Sequence, residues 1–150
     1  MNQGDSEAPT WPTATLTESS LTSTSVSLTW SGATDNEGVN GYRVRLNGAV
    51  VADVIGETAE ISGLTPDTSN DFSVQAYDLA GNESNGGPTL QVSTPADNTL
   101  PSWTDGVVTV GEVTRTSVAL QWSGASDNVA VVGYEIELDG SVVGLSLIHI

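Results

Sequence analysis

Two loops rich in aspartate, asparagine and glutamate hold the residues best suited to chemistry. Their candidate metal ligands are Asp35, Asn36 and Glu37 in the first loop and Asp78, Asn82 and Glu83 in the second. Carboxylate and amide oxygens of this kind can bind calcium. The same side chains also shape turns by bonding their own backbone. No EF-hand spacing is present, and a second occurrence of the first loop reads Asp127-Asn128-Val129, without the glutamate. We therefore expect loop shaping and no metal site, with calcium binding as the alternative.

Catalysis finds little support among the remaining reactive side chains. His149 is the only histidine and the chain contains no cysteine, so a Ser–His or Cys–His pair cannot form in the first hundred residues. Nucleophile-elbow and phosphate-loop patterns are missing from the sequence. No carboxylate lies in the apolar setting that would raise its pKa for acid catalysis. We expect no enzyme activity, no catalytic residue and no cofactor.

The charge is strongly negative. Nineteen Asp and Glu residues stand against three arginines and no lysine, a net charge of −16. Nucleic-acid binding needs cations to neutralise phosphates and is therefore excluded, and anionic membrane surfaces are disfavoured. Self-repulsion favours a monomer. The sequence shows no signal peptide at Met1–Glu7 and no apolar run of membrane-spanning length.

An internal repeat positions the candidate residues. Ser25–Gly48 reappears as Ser117–Gly140, and 92 positions separate Trp30 from Trp122 and Tyr42 from Tyr134. No insertion or deletion falls between the copies. The repeat defines one full unit and part of a second.

Alternation of apolar and polar residues predicts short strands and no helix. In Ser25–Ser31, for example, Val26, Leu28 and Trp30 share one face. Asn47-Gly48 is a favoured pair for a two-residue hairpin turn. The predicted strands are Thr15–Ser19, Ser25–Ser31, Gly41–Leu46, Val50–Ile55, Thr58–Ile61, Asp71–Tyr77 and Thr89–Ser93. Seven strands separated by turn residues predict an all-β fold, an antiparallel immunoglobulin-like β-sandwich.

The residues that are most diagnostic of a family are Trp30, Tyr42, Gly63-Leu64-Thr65-Pro66 and the run from Ala76 to Asn82. With these motifs the sequence resembles a fibronectin type III domain of the kind found in secreted and surface proteins of bacteria. The resemblance places both acidic loops at one pole of the sandwich. The position where the family usually has a corner tyrosine is Asn70, so we expect either a polar contact from Asn70 or compensating packing by Phe72, with some loss of stability.

The resulting organisation has four parts. Residues 1–8 are expected to be disordered, 9–95 to form a fibronectin type III domain, 96–100 to be a linker, and 101–150 to be a truncated second domain. Residues 144–150 depart from the repeat and are expected to be a non-native tail.

These expectations favour a non-catalytic spacer or interaction module of a larger extracellular or cell-surface bacterial protein. Its partners would be neighbouring domains of the same chain, and it could be accessory to a carbohydrate-active enzyme. The alternative is a carbohydrate-binding or adhesin module, with polysaccharide or cell-surface glycan as the partner. That alternative would need exposed aromatic side chains, and the only candidates are Tyr77 and Trp11. Trp11 and its counterpart Trp103 are, however, expected to pack at the end of the sandwich. Outward Arg43 and Arg45 are matched by Glu135 and Glu137 in the second copy, which argues against a shared electrostatic binding site.

Overall fold

A computed structural model describes residues 4–147, and it divides the chain into two compact units, Met1–Asp97 (unit one) and Asn98–Ile150 (unit two). Every regular element in the described range is a β-strand. The strands are β1 Thr15–Ser19, β2 Ser25–Ser31, β3 Val39–Leu46, β4 Ala49–Val54, β5 Thr58–Ser62, β6 Ser69–Asp78, β7 Thr89–Ser93, β8 Ser102–Val113, β9 Val118–Ser126, β10 Gly133–Leu138 and β11 Ser141–Leu147. No described segment forms a helix long and apolar enough to cross a membrane.

Unit one consists of two antiparallel sheets, ordered β1-β2-β5 and β4-β3-β6-β7. The period-two pattern of each strand turns one row of side chains inward, so the two inner rows meet as the core of a sandwich. That core contains Val26, Leu28, Trp30, Tyr42, Val44, Ile61, Leu64, Phe72, Val74, Ala76 and Val92. The predicted seven-stranded fold is confirmed.

Local backbone chemistry fixes the turns. Asn47 and Gly48 both have positive φ, at 50° and 87°, as a two-residue hairpin between β3 and β4 requires. In unit two Asp139 and Gly140 repeat the turn at 52° and 78°. Gly32 has φ 101°, and a side chain there would collide with the Thr13 carbonyl. This turn chemistry sets the register of the strands it joins.

At the position where the family usually has a corner tyrosine, Asn70 makes a polar contact, which is the first of the two predicted alternatives. Asn70 is buried, and its side-chain amide donates to the Thr68 carbonyl at 3.0 Å. Phe72, two residues further along β6, is 1% exposed and fills the core. The polar contact of Asn70 therefore stands at this corner, and compensating packing by Phe72 stays a prediction.

Unit two repeats the first four strands of unit one. It forms two antiparallel pairs, β8-β9 and β10-β11, and the bulge between Ile136 and Glu137 matches the one between Val44 and Arg45. Residues 144–147, whose sequence departs from the repeat, continue β11 in the register of β4. Residues 148–150, including His149, lie outside the described part of the chain, and the non-native tail stays a prediction.

Candidate functional site

The acidic loops meet at one end of unit one. Asp5, Asp35 and Asp78 each offer a carboxylate oxygen, and these oxygens lie within 4.8 Å of one another. The sequence predicted that the loops of Asp35 and Asp78 would meet, but it missed Asp5 because residues 1–8 were expected to be disordered. One signal was available: an aspartate recurs 92 positions later, at Asp97.

Asp78 is 2% exposed and accepts a dense set of hydrogen bonds. Its Oδ1 receives the backbone N–H groups of Gly81 at 2.7 Å and Asn82 at 2.8 Å, and its Oδ2 receives the Asn82 amide at 2.6 Å. Burial by itself would raise the pKa of Asp78, but the donors from Asn82 and Gly81 favour the carboxylate and bring that pKa below its ordinary value. The charge of Asp78 therefore closes the loop that follows β6.

Asp35 shapes the other loop in the same way. Its Oδ2 accepts the N–H groups of Glu37 and Gly38, both at 3.0 Å. In unit two Asp127 repeats the turn, accepting from Val129 at 2.8 Å and Ala130 at 3.0 Å although the glutamate is missing. The turn thus needs the aspartate alone. The second oxygens, Oδ1 of Asp35 and Oδ2 of Asp127, are buried and accept no hydrogen bond within the described chain.

Asn82 connects the N-terminal segment to this loop cluster. Its side-chain amide donates to the carbonyls of Asp5 at 3.4 Å and Glu7 at 3.1 Å, and Asn36 donates to the Asp5 carboxylate at 3.3 Å. The sequence analysis did not anticipate these contacts. Residues 1–3 lie outside the described range, and disorder of residues 1–8 as a whole stays a prediction.

Glu83, the other acid of this loop, points to the outer face of the sheet instead. Its two oxygens bind Arg43 at 2.9 Å and Arg45 at 3.3 Å, so one carboxylate forms ion pairs with both arginines of unit one. Arg43 also lies 3.4 Å from Asp53 on β4. Glu83 is therefore the centre of a structural ion-pair network.

Tyr77, the candidate aromatic for glycan stacking, belongs to the same network. The Arg43 guanidinium lies over its ring, 4.8 Å from the centroid, and its hydroxyl donates to Asp53 at 2.6 Å. The hydrogen bond to Asp53, together with partial burial, raises the pKa of Tyr77. On the neighbouring strand Gly41 leaves room for the tyrosine, since a Cβ there would lie 2.6 Å from its Cζ. One face and the polar tip of Tyr77 are thus already engaged.

Trp11 is the other candidate aromatic, and it packs against the core. Its ring lies 6.0 Å from that of Tyr42, which lies 5.5 Å from that of Trp30. The Trp11 indole N–H donates to the buried Ser84 hydroxyl at 3.1 Å. The sequence missed Ser84 as the partner because 73 residues separate the two. Trp11 therefore lies at the end of the core, as the plug interpretation predicts.

The fibronectin type III domain model matches residues 7–93, more than half of the chain. The chain belongs to the fibronectin type III family. The resemblance inferred from the sequence motifs is therefore confirmed, and the family is a non-catalytic type of module.

Curated relatives are larger proteins with enzyme names. Chitinase A1 of Niallia circulans is 38% identical over 136 residues, which cover 88% of this chain and 19% of that protein. Exoglucanase B of Cellulomonas fimi is 36% identical over 149 residues, 93% of this chain and 13% of that protein. Chitinase D of Niallia circulans is 47% identical over 88 residues, 59% of this chain and 17% of that protein. The chain thus spans less than a fifth of each of these relatives.

Solved structures agree on the fold. Chitinase ChiA74 from Bacillus thuringiensis superposes with a TM-score of 0.56 at 29% identity, covering 74% of this chain and 16% of that one. The fibronectin type III domain of human fibronectin type III domain containing protein 3 gives a TM-score of 0.53 at 23% identity, covering 63% of this chain and 94% of the other. The second likeness concerns the fold alone.

Proposed function

We propose that this chain is a non-catalytic spacer module of a larger carbohydrate-active protein. The observation that carries the proposal is the match of 88% of this chain to 19% of a chitinase, which leaves most of that relative for other domains. Neighbouring domains of the same polypeptide are then its partners, and it has no activity of its own.

The contacts of unit one support a spacer over a binding module. Of the two candidate aromatics, Trp11 packs on Tyr42 and binds Ser84, while Tyr77 is covered by Arg43 and tied to Asp53. Both side chains therefore stabilise the domain instead of standing free on its surface. Sugar-binding sites typically need aromatic faces and convergent polar groups that are available to the ligand.

We place the protein outside the cell or on its surface. Chitin and glucan chains are too large to enter a cell intact, so enzymes like the named relatives must meet them outside. Unit one is compact and contains no disulfide, and its own ion pairs and loop hydrogen bonds stabilise it. Such a unit suits a linker position outside the cell. The strongly negative charge opposes self-association and supports a monomer.

Co-sedimentation with insoluble chitin and cellulose tests the proposal. The full chain is expected to remain in the supernatant with both polymers and to release no reducing sugar from either. Bovine serum albumin serves as the non-binding control and a chitin-binding domain as the positive one. Saturable retention of the chain, or sugar release above the control, would contradict the proposal.

One observation favours the carbohydrate-binding alternative. Trp103 of unit two is 50% exposed, more than its counterpart Trp11. If the chain is retained on a polymer, Trp103→Ala should abolish the retention and Trp11→Ala should reduce it less. Retention that survives Trp103→Ala would remove this aromatic as the basis of the alternative.

The expectation of no metal site stays a prediction, and the cluster of Asp5, Asp35 and Asp78 is the place to test it. We expect the same Tm of unit one in millimolar calcium and in chelator. A calcium-dependent rise that Asp78→Asn removes would contradict the expectation and favour the calcium alternative.

A further inference from the structure

Asparagine is followed by glycine at three places in unit one, which are Asn40-Gly41, Asn47-Gly48 and Asn85-Gly86. Because glycine has no side chain, its backbone nitrogen can approach the side-chain amide of the preceding asparagine without steric hindrance. Attack of that nitrogen on the amide carbon closes a succinimide ring. The reacting groups must also be free to turn toward each other. The fold therefore determines which of the three pairs can react.

Two of the pairs are held by the sheet. Asn47 lies in the turn between β3 and β4, where its Oδ1 accepts the N–H of Asp71 at 3.0 Å and its own N–H donates to the Asp71 carbonyl at 2.8 Å. Asn40 and Gly41 lie within β3, where Gly41 pairs with Tyr77 of β6. Reaction at either pair must first break these contacts, and the lost hydrogen bonds oppose it.

The third pair, Asn85-Gly86, lies in the loop between β6 and β7, and both residues are exposed. Among residues 4–147, neither the side chain of Asn85 nor the N–H of Gly86 makes a hydrogen bond. The two groups that must meet in the succinimide are thus free in the folded chain. No strand or turn contact has to break before they react.

The residues on both sides of this pair are anchored. Ser84 is 3% exposed, and its hydroxyl accepts the Trp11 indole N–H at 3.1 Å and donates to the Gly86 carbonyl at 2.7 Å. Gly87 passes so close to β6 that a Cβ there would collide with the Val74 carbonyl. An additional main-chain atom between these anchors would therefore move the Gly86 carbonyl away from Ser84.

We propose that Asn85 is a site of spontaneous deamidation. The Gly86 nitrogen forms a bond to the side-chain carbonyl carbon of Asn85, the bond from that carbon to the amide nitrogen breaks, and ammonia leaves with the proton that the Gly86 nitrogen loses. Water then opens the succinimide at either carbonyl and yields aspartate or isoaspartate. In isoaspartate the main chain runs through Cβ and gains an atom. This product therefore weakens the contact between Ser84 and Gly86 and, through Ser84, the attachment of Trp11.

Incubation of the full chain at mildly alkaline pH tests the proposal. Digestion with a glutamate-specific protease at acid pH, which cleaves after Glu83, places Asn85 in a different peptide from Asn40 and Asn47, and mass spectrometry measures the conversion of amide to acid at each. We expect Asn85 to convert about tenfold faster than Asn47, because reaction at Asn47 first breaks the hydrogen bonds to Asp71. The rate at Asn40 should also be lower than at Asn85. In urea, which removes the fold, the three rates should become similar.

Two variants separate the ring closure from the added charge. Asn85→Gln should convert far more slowly, since its longer side chain would have to close a larger ring. Asn85→Asp carries the charge of the product on an unchanged main chain, so its Tm should stay close to that of the parent. The isoaspartate form, isolated by chromatography and identified by labelling with an isoaspartyl methyltransferase, should have a lower Tm than freshly prepared Asn85→Asp.

Three results would overturn the proposal. The first is conversion of Asn85 in the folded chain that is no faster than conversion of Asn47. The second is an equally large preference for Asn85 in urea, which would mean that the fold does not select the site. The third is an isoaspartate form with the same Tm as Asn85→Asp, which would show that the longer main chain leaves the contacts of Ser84 intact.

Discussion

Replacing Trp30 by alanine tests the core of unit one most severely. The ring is 1% exposed and packs edge-on against Tyr42, with 5.5 Å between ring centroids. A tryptophan buries roughly 150–250 Å², worth about 4–6 kcal/mol at about 25 cal/mol per Å². The Trp30 indole N–H is buried without a partner in the described chain. Removing this unsatisfied donor offsets about 1–3 kcal/mol of the loss. We therefore expect Trp30→Ala to lower the free energy of unfolding of unit one by about 3–5 kcal/mol.

Urea unfolding followed by circular dichroism measures this loss. Because a domain of this size is stable by about 5–15 kcal/mol, the variant should unfold at a clearly lower urea concentration than the parent, and it should be partly unfolded without denaturant if the parent stability lies near about 5 kcal/mol. Trp30→Phe keeps a ring and removes the unpaired N–H, so it should cost only about 1–2 kcal/mol.

The repeat supplies a matched control. Trp122 contacts Tyr134 at 5.5 Å but is only half-buried, and Trp122→Ala should leave the transition of unit one unchanged. A loss below about 1 kcal/mol for Trp30→Ala, against the 3–5 kcal/mol expected for a buried tryptophan, would refute this description of the core. An equal loss of unit-one stability for both alanine variants would refute it as well.

Three further changes test the outer face and the loops. Glu83→Gln should lower the free energy of unfolding of unit one by about 0.5–2 kcal/mol in a urea titration at low salt, because it breaks two partly exposed ion pairs. The loss should be smaller in 1 M NaCl. Glu135→Gln, the matched control, should leave the stability of unit one unchanged. Gly41→Ala should lower the free energy of unfolding of unit one by about 1–3 kcal/mol, because the added Cβ clashes with Tyr77. The loss should be clearly smaller in a Tyr77→Ala background, and equal losses in the two backgrounds would contradict the contact. The stabilisation from the Asp78 carboxylate should be complete above the pKa of about 3.9 that this group has in the unfolded chain, and it should be lost as the pH falls through the lower pKa of the folded protein. Asp78→Asn should therefore make the stability of unit one less dependent on pH at acid pH.

Local patterns in the sequence predicted much of the fold. The bounds of β1, β2 and β7 agree with the predicted strands, because strict alternation and turn residues define them. The start of β3 was placed two residues late. Val39 joins this strand by pairing with Asp78 across a bulge before Gly41, and such a tertiary contact leaves no mark on local periodicity.

The loop cluster was predicted less completely than the strands. Asp35 and Asp78 were expected together because the family fold joins their loops at one pole. The bonds from Asn82 to the carbonyls of Asp5 and Glu7 span 77 and 75 residues, and the polar composition of the N-terminal segment gave no sign of them. The direction of the Glu83 side chain, toward Arg43 and Arg45, depends on the path of the loop after β6, which the sequence alone does not specify.

The spacer proposal can be tested most directly inside a chitinase. Chitinase A1 of Niallia circulans matches this chain over 136 residues, and that matched segment can be replaced by the chain or deleted. We predict that the replacement keeps the hydrolysis rates of the parent on insoluble chitin and on a soluble oligosaccharide. Deletion should lower only the rate on insoluble chitin. A loss of the rate on the soluble substrate after deletion, or an unchanged rate on insoluble chitin, would contradict the proposal.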